Sequence, residues 1–185
     1  MQARRIAAQN VTLDLAIGGT ELGKGVELNM ALVVTTAAFA ADHKIPDRFS
    51  RDGGNLSPQL EWRGEPPETR SFALVVEDPD APKGTFRHWA AYDIPAGTHR
   101  LPEGAGSQGG DSAIAITMAK NDFGNARYDG PQPPRGHGTH HYHFRLFALG
   151  IDRLEVSEGC AAEEVLEAAR AQALAEGDTI GVFER

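Results

Sequence analysis

A single cysteine, Cys160, stands among the 185 residues, so no disulfide can close within the chain and no cysteine-based zinc site can be completed. This scarcity fits a reducing, cytoplasmic setting. Long apolar runs are also missing: none reaches the roughly 18 residues that a membrane-spanning helix needs. The nearest approach is Met30 to Ala41, M-A-L-V-V-T-T-A-A-F-A-A, which resembles the apolar part of a signal peptide. A signal would carry basic residues just before that stretch, whereas here 29 residues ending in Glu27, Leu28 and Asn29 precede it. Its valines and threonines read instead as a strand running into the core. Positive charge is in deficit as well: 18 Lys and Arg face 26 Asp and Glu, a formal net charge of -8. The resulting field repels phosphate backbones and anionic bilayers, which argues against nucleic acid as a partner.

The length suits one domain with a proper core, and we expect residues 30–185 to form it. Residues 1–29 differ in character, with Arg4 and Arg5 followed by a stretch punctuated by Gly18, Gly19, Gly23 and Gly25. Within them Val11, Leu13, Leu15 and Ile17 alternate well enough for an extra edge strand or a dimer arm. Beyond Phe39, short apolar runs alternate with turn signals such as Asp52-Gly53-Gly54-Asn55, Glu65-Pro66-Pro67, Asp78-Pro79-Asp80 and Asp129-Gly130-Pro131. Strands are expected at Phe72 to Val76, His88 to Ile94, Ala113 to Met118, His141 to Leu149 and Thr179 to Phe183, in an antiparallel β architecture. Ala161 to Ala175 breaks the pattern. It carries Glu163 and Glu164 in its first turn and sets Val165, Leu166, Ala169 and Ala173 on one side, as an amphipathic helix does, with Gly177 to close it.

Three segments could carry chemistry. Asp78-Pro79-Asp80-Ala81-Pro82 is a stiff bend, because two prolines fix φ and remove donors, and it holds two carboxylates at a strand end. Taken alone it is ordinary turn chemistry. Arg87-His88-Trp89 opens the next strand and returns an imidazole and an indole toward those carboxylates. A lone histidine beside an apolar run is usually a satisfied core residue, but a carboxylate neighbour would raise its pKa and make it a donor to anions. The third segment, Gly130 to Phe144, is a proline loop, a glycine turn at Gly136 and Gly138, and a strand. Alternation places His140, Tyr142 and Phe144 on one face of that strand and His141, His143 and Arg145 on the other. The same alternation divides the four histidines of this segment between faces, so we expect no metal site and no cofactor. No G-x-S-x-G elbow is present, Ser57 sits in a turn before Pro58, and Cys160 stands at a helix boundary, so no catalytic residue is assigned. Acid-base use of Asp78, Asp80 and His88 stays open.

In their order, these motifs resemble the phosphatidylethanolamine-binding protein family, in particular its bacterial Raf-kinase-inhibitor-like branch. Asp52 to Trp62 is similar to the family's D-G-x-N-x-S-P-x-L-x-W element, Asp78 to Pro82 to its D-P-D-A-P signature, His88-Trp89 to its H-W pair, and Gly130 to Tyr142 to its G-P-x-P-P loop and H-x-Y strand. The resemblance covers Phe39 to Arg185. It implies a mainly β fold, an antiparallel β-sandwich with a C-terminal helix near the mouth of a small anion pocket. It further implies that Asp78, Asp80, His88, His140 and Tyr142 bind a ligand there, with Pro79, Pro82, Trp89, Pro133 and Gly138 shaping the pocket. The implied ligand is a small anionic or zwitterionic group, such as a phosphoethanolamine headgroup, whose ammonium the aspartates could receive. Residues 1–29 have no counterpart in this pattern, His141 stands where animal relatives often have arginine, and Gln172 stands where many relatives carry a histidine that belongs to the pocket mouth. The alternatives are a protein inhibitor or scaffold acting on a kinase or protease through surface contacts, and a hydrolase or isomerase using Asp78 and His88. A homodimer through an exposed β edge or the N-terminal arm is the expected form of self-association.

Overall fold

The computed structural model describes residues 31–108, 114 and 116–185; the alternating segment Val11 to Ile17 lies outside them. Among the described residues nine strands and one α-helix make three layers. A small sheet holds β1 (Val33–Thr35), β3 (Leu60–Arg63) and β6 (Arg100–Leu101) in the order β1-β3-β6. A larger sheet has the order β2-β9-β8-β4-β5-β7, with β2 His43–Lys44, β4 Ser71–Asp78, β5 Phe86–Pro95, β7 Thr117–Met118, β8 His140–Leu149 and β9 Ala173–Phe183. All pairings are antiparallel except the two-residue pair of β2 with β9. Helix α1 (Ala162–Gln172) lies on the outer face of the larger sheet.

Period-two patterning explains the layers. Along β4, Phe72, Leu74 and Val76 face the small sheet and share one core with Leu60 and Trp62 of β3 and with Phe144 and Leu146 of the neighbouring β8. Ala73 and Val75 face the other way, into a second cluster with Phe147, Leu149 and the helix residues Val165, Leu166 and Ala169. Every residue of β4 is buried, as a central strand covered on both faces must be. Only the first part of the expected helix stripe is helical. The chain turns extended at Ala173, which pairs with Leu149, so helix passes into strand with no loop between. Gly177 is therefore not a helix stop. It sits within β9, where a Cβ would lie 2.2 Å from the Leu32 carbonyl oxygen, and its role is to admit the chain approaching β1. Of the segment Met30 to Ala41, only Val33–Thr35 is strand among the described residues. Of Ala113 to Met118, only Thr117–Met118 is strand among the described residues.

Two irregularities in the pairing of β4 with β5 position side chains. Val76 faces Trp89 while the next residue, Glu77, faces Arg87, so His88 is the extra residue of a β-bulge. A bulge bends its strand and re-aims a side chain. Here it turns His88 to the same side as Trp89 instead of the opposite one: the His88 ring meets Tyr142, and Trp89 packs on Tyr128. The second irregularity lies between Phe72 and Leu74, opposite Asp93, whose φ is 56°.

Candidate functional site

The end of β4 and the starts of β5 and β8 lie side by side at one edge of the larger sheet, because the three strands are antiparallel neighbours. Asp78, His88, His140 and Tyr142 meet there. His140 Nδ1 donates to Asp78 Oδ2 at 2.7 Å, and both side chains are almost fully buried. The His88 and Tyr142 ring centroids are 5.1 Å apart in a T-shaped contact. The buried Tyr142 hydroxyl lies beside the Asp78 carboxylate and the backbone of Gln132 without closing a hydrogen bond. Burial, with the charge of Asp78, pushes the phenol pKa well up, so it stays protonated.

His88 is held differently from the expectation drawn from its neighbours. Its Nδ1 donates to the backbone carbonyls of Asp129 at 2.8 Å and Gly130 at 3.1 Å. Burial depresses its pKa and outweighs the two carbonyls and the charges of Asp78 and Asp122, which act to raise it. The ring is thus neutral, and Phe86 and Phe123 flank it at centroid distances of 5.2 and 5.6 Å. Asp78 acts on it, as the sequence suggested, but desolvation is the larger effect.

Asp80 does not join this cluster. Its Oδ2 accepts from the backbone N–H and Nδ1 of His141, both at 2.8 Å, on the exposed side of the strand. The His141 hydrogen bond outweighs desolvation and lowers the Asp80 pKa. What Asp80 gives the site is its backbone N–H, which donates to Asp78 Oδ1 at 2.9 Å and fixes the bend. Pro79 and Pro82 are exposed, Pro133 is buried, and Gly138 has φ +85° with open space around it. Trp89 is buried in the inter-sheet core, against Tyr128 and so close to Gly106 that a Cβ there would lie 2.4 Å from the indole. Gln172 ends the helix beside Ala173, the partner of Leu149. That is the opposite end of β8 from His140, roughly 30 Å away along nine strand residues. The helix end therefore supplies no group to this cluster. The end nearer the cluster is the helix start, where Glu163 pairs with Arg87 at 2.8 Å.

Two groups escaped the sequence reading. His137 Nδ1 lies 2.8 Å from His140 Nε2, so an exposed imidazole is joined through a buried one to the Asp78 carboxylate. Its spacing of three residues across Gly138 was the available signal. Asp129, read only as part of a turn, is fully buried and is the keystone of the loop. It accepts from Asn55 at 3.0 Å, Asn121 at 2.9 Å and Asn125 at 2.8 Å, and Arg127 and Arg51 approach at 3.3 and 3.5 Å. Burial works to raise its pKa, but the three amides and Arg127 outweigh it and bring the carboxyl down to about 2. Asn55 also accepts from the Gly130 N–H at 2.8 Å. The Asp-Gly-Gly-Asn element and the proline loop are thus one structure, and a Cβ at Gly130 would lie 1.9 Å from the Phe49 carbonyl oxygen. No cluster of three or more His, Cys, Asp or Glu with metal-binding geometry occurs among the described residues.

The fold and the cluster define a class: three-layer β-sandwiches that gather a carboxylate, two imidazoles and a buried phenol at one strand edge. The model of the phosphatidylethanolamine-binding protein family matches residues 35–184, and the chain belongs to this family. It is 39% identical over 176 residues to the UPF0098 protein PH1269 of Pyrococcus horikoshii, covering 95% of this chain and 87% of that one. A UPF0098 protein of Aquifex aeolicus is 40% identical, covering 82% and 88%. The crystal structure of Escherichia coli YbcL, described as a member of the mammalian PEBP family, superposes with a TM-score of 0.80 at 32% identity, covering 83% of this chain and 98% of that one. A structure from Chlamydia trachomatis gives a TM-score of 0.73 at 31% identity, covering 84% and 98%. The match to the Pyrococcus protein takes in 176 of 185 residues and so reaches into residues 1–29, a segment that lies outside the stretch matched by the family model. Among the described residues no helix is long and apolar enough to cross a membrane.

Proposed function

We propose that the protein binds a small phosphorylated or anionic ligand, of the phosphoethanolamine-headgroup kind, at the Asp78, His88, His140 and Tyr142 cluster, and that it acts as a binding module and not as a catalyst. The supporting observation is the Tyr142 hydroxyl, buried and without a hydrogen-bond partner beside a carboxylate and an imidazole. An orphaned buried hydroxyl costs about 1–3 kcal/mol, a cost that a bound oxygen acceptor would relieve. Family membership supports the ligand class. Asp80 acts by bracing the bend and not by touching the ligand.

Isothermal titration with phosphoethanolamine tests this reading. His88→Ala and Tyr142→Phe should each weaken binding at least tenfold, the order expected for about 1.5 kcal/mol, with far-UV circular dichroism unchanged. Unaltered affinity in both variants would move the ligand elsewhere. The line from Asp78 through His140 to His137 favours proton transfer as a second reading. Turnover on an ester or phosphoester panel, abolished by Asp78→Asn, would establish it.

A further inference from the structure

The hydrogen-bonding inventory of the cluster restricts which form of an anion it can accept. His88 Nδ1 faces two backbone carbonyls. Both are acceptors only, so the ring hydrogen must sit on Nδ1 and the neutral ring offers Nε2 as a bare acceptor. Among the described residues Nε2 has no partner. His140 has no N–H to spare either, because Nδ1 donates to Asp78 and Nε2 is engaged with His137. Even as an imidazolium, both its hydrogens would point at protein atoms. Asp78 only accepts. The side chains thus present two acceptors, His88 Nε2 and the Asp78 carboxylate, against one donor, the Tyr142 hydroxyl. A fully ionised phosphate brings acceptors alone and would leave His88 Nε2 facing a like lone pair beside a carboxylate charge.

We infer that the site selects the proton-bearing monoanion of a phosphomonoester, whose P–O–H donates to His88 Nε2 while an unprotonated oxygen accepts from Tyr142. This rests on the proposed anion site and names the ionisation state it takes. The charged or titratable groups around His88 are Asp78 on β4, His140 and Tyr142 on β8, and Asp122 and Asp129 in the loop after β7, with Arg51 lying 3.9 Å over the neighbouring Phe123 ring. The neutral ring state that burial enforces agrees with this assignment.

Methyl phosphate and methyl sulfate provide the test, since as monoanions they share shape and charge and differ by one proton. In titrations from pH 5 to 8, methyl phosphate affinity should be greatest at the acid end and fall about tenfold per pH unit above the ester's second pKa near 6. Near pH 7.5, titrations in two buffers of different ionisation heat should show about one proton taken up per ligand bound. Methyl sulfate should bind at least tenfold more weakly than methyl phosphate at pH 5 and show no such slope. His88→Gln, which offers an amide donor, should flatten the methyl phosphate profile and narrow the gap to methyl sulfate. Equal binding of the two esters by the unaltered protein, or methyl phosphate affinity that holds or rises with pH, would overturn the inference while leaving the anion site standing. Binding of neither ester at any pH would overturn both. Binding of ethylammonium alone would put an amine where the P–O–H is assigned and likewise overturn both.

Discussion

At the scale of single residues, Asp129 carries more of the site than any group that touches the ligand position. Its carboxylate gathers three amides and two guanidinium groups, and its own carbonyl is one of the two that fix the His88 hydrogen. Asp129→Asn removes the charge and turns one oxygen into a donor facing other donors. Breaking a buried charge network from one side costs about 3–5 kcal/mol, so urea denaturation at pH 7 should show a loss near 3 kcal/mol. The pH dependence has a definite sign. A carboxyl whose folded pKa is about 2, against about 3.9 unfolded, stabilises the fold fully above pH 4 and loses that contribution as pH falls through 2. The contribution is roughly 2–3 kcal/mol. The stability gap between unaltered protein and variant should therefore shrink between pH 4 and pH 2, and a gap that stays constant there would show that Asp129 is not held as a carboxylate.

At the scale of elements, the strands were legible because their apolar residues alternate, and the split of β8 into His140, Tyr142 and Phe144 inward and His141 and His143 outward follows directly from it. The direction of His88 was not legible. Strict alternation would put His88 and Trp89 on opposite faces, and only the pairing of β4 with β5 reveals the extra residue that brings both inward. Asp80 went astray for a related reason: proximity in a bend says nothing about which side of the sheet each carboxylate takes, and His141, one residue from the face that was followed, receives it. The proline loop was recognised from composition, but its lock was not, since Asn55 and Gly130 are 75 residues apart. Gly130→Ala tests that lock. Its Cβ would press on the Phe49 carbonyl oxygen, which is backbone and cannot swing away. We expect about 2 kcal/mol or more of destabilisation. Methyl phosphate binding should weaken as well, because the displaced loop carries both carbonyls that orient His88. Loss of stability with binding unchanged would separate the loop from the orientation of His88.

At the scale of the whole molecule, the three layers share their middle one. Strands β4, β5 and β8 supply both the inter-sheet core and the helix-side core, so neither outer layer can leave without uncovering strands that the other needs. The sequence disclosed the main strands and the first part of the helix but not this sharing, because alternation identifies two faces without saying what covers each. The arrangement predicts cooperative unfolding, and the two tryptophans allow a direct check, since Trp62 and Trp89 both lie in the inter-sheet core and none lies under the helix. Leu166→Ala removes a buried side chain from the helix-side cluster only. Such a deletion costs about 2–5 kcal/mol, which for a domain of this size lowers the melting temperature by roughly 2–4 °C per kcal/mol. Tryptophan fluorescence, which reports the opposite layer, should shift by the same amount as the far-UV signal, and in one transition. If the fluorescence transition held its place while far-UV amplitude was lost below it, the helix would be docking on a sandwich that stands without it, and the site edge would owe nothing to the helix-side core.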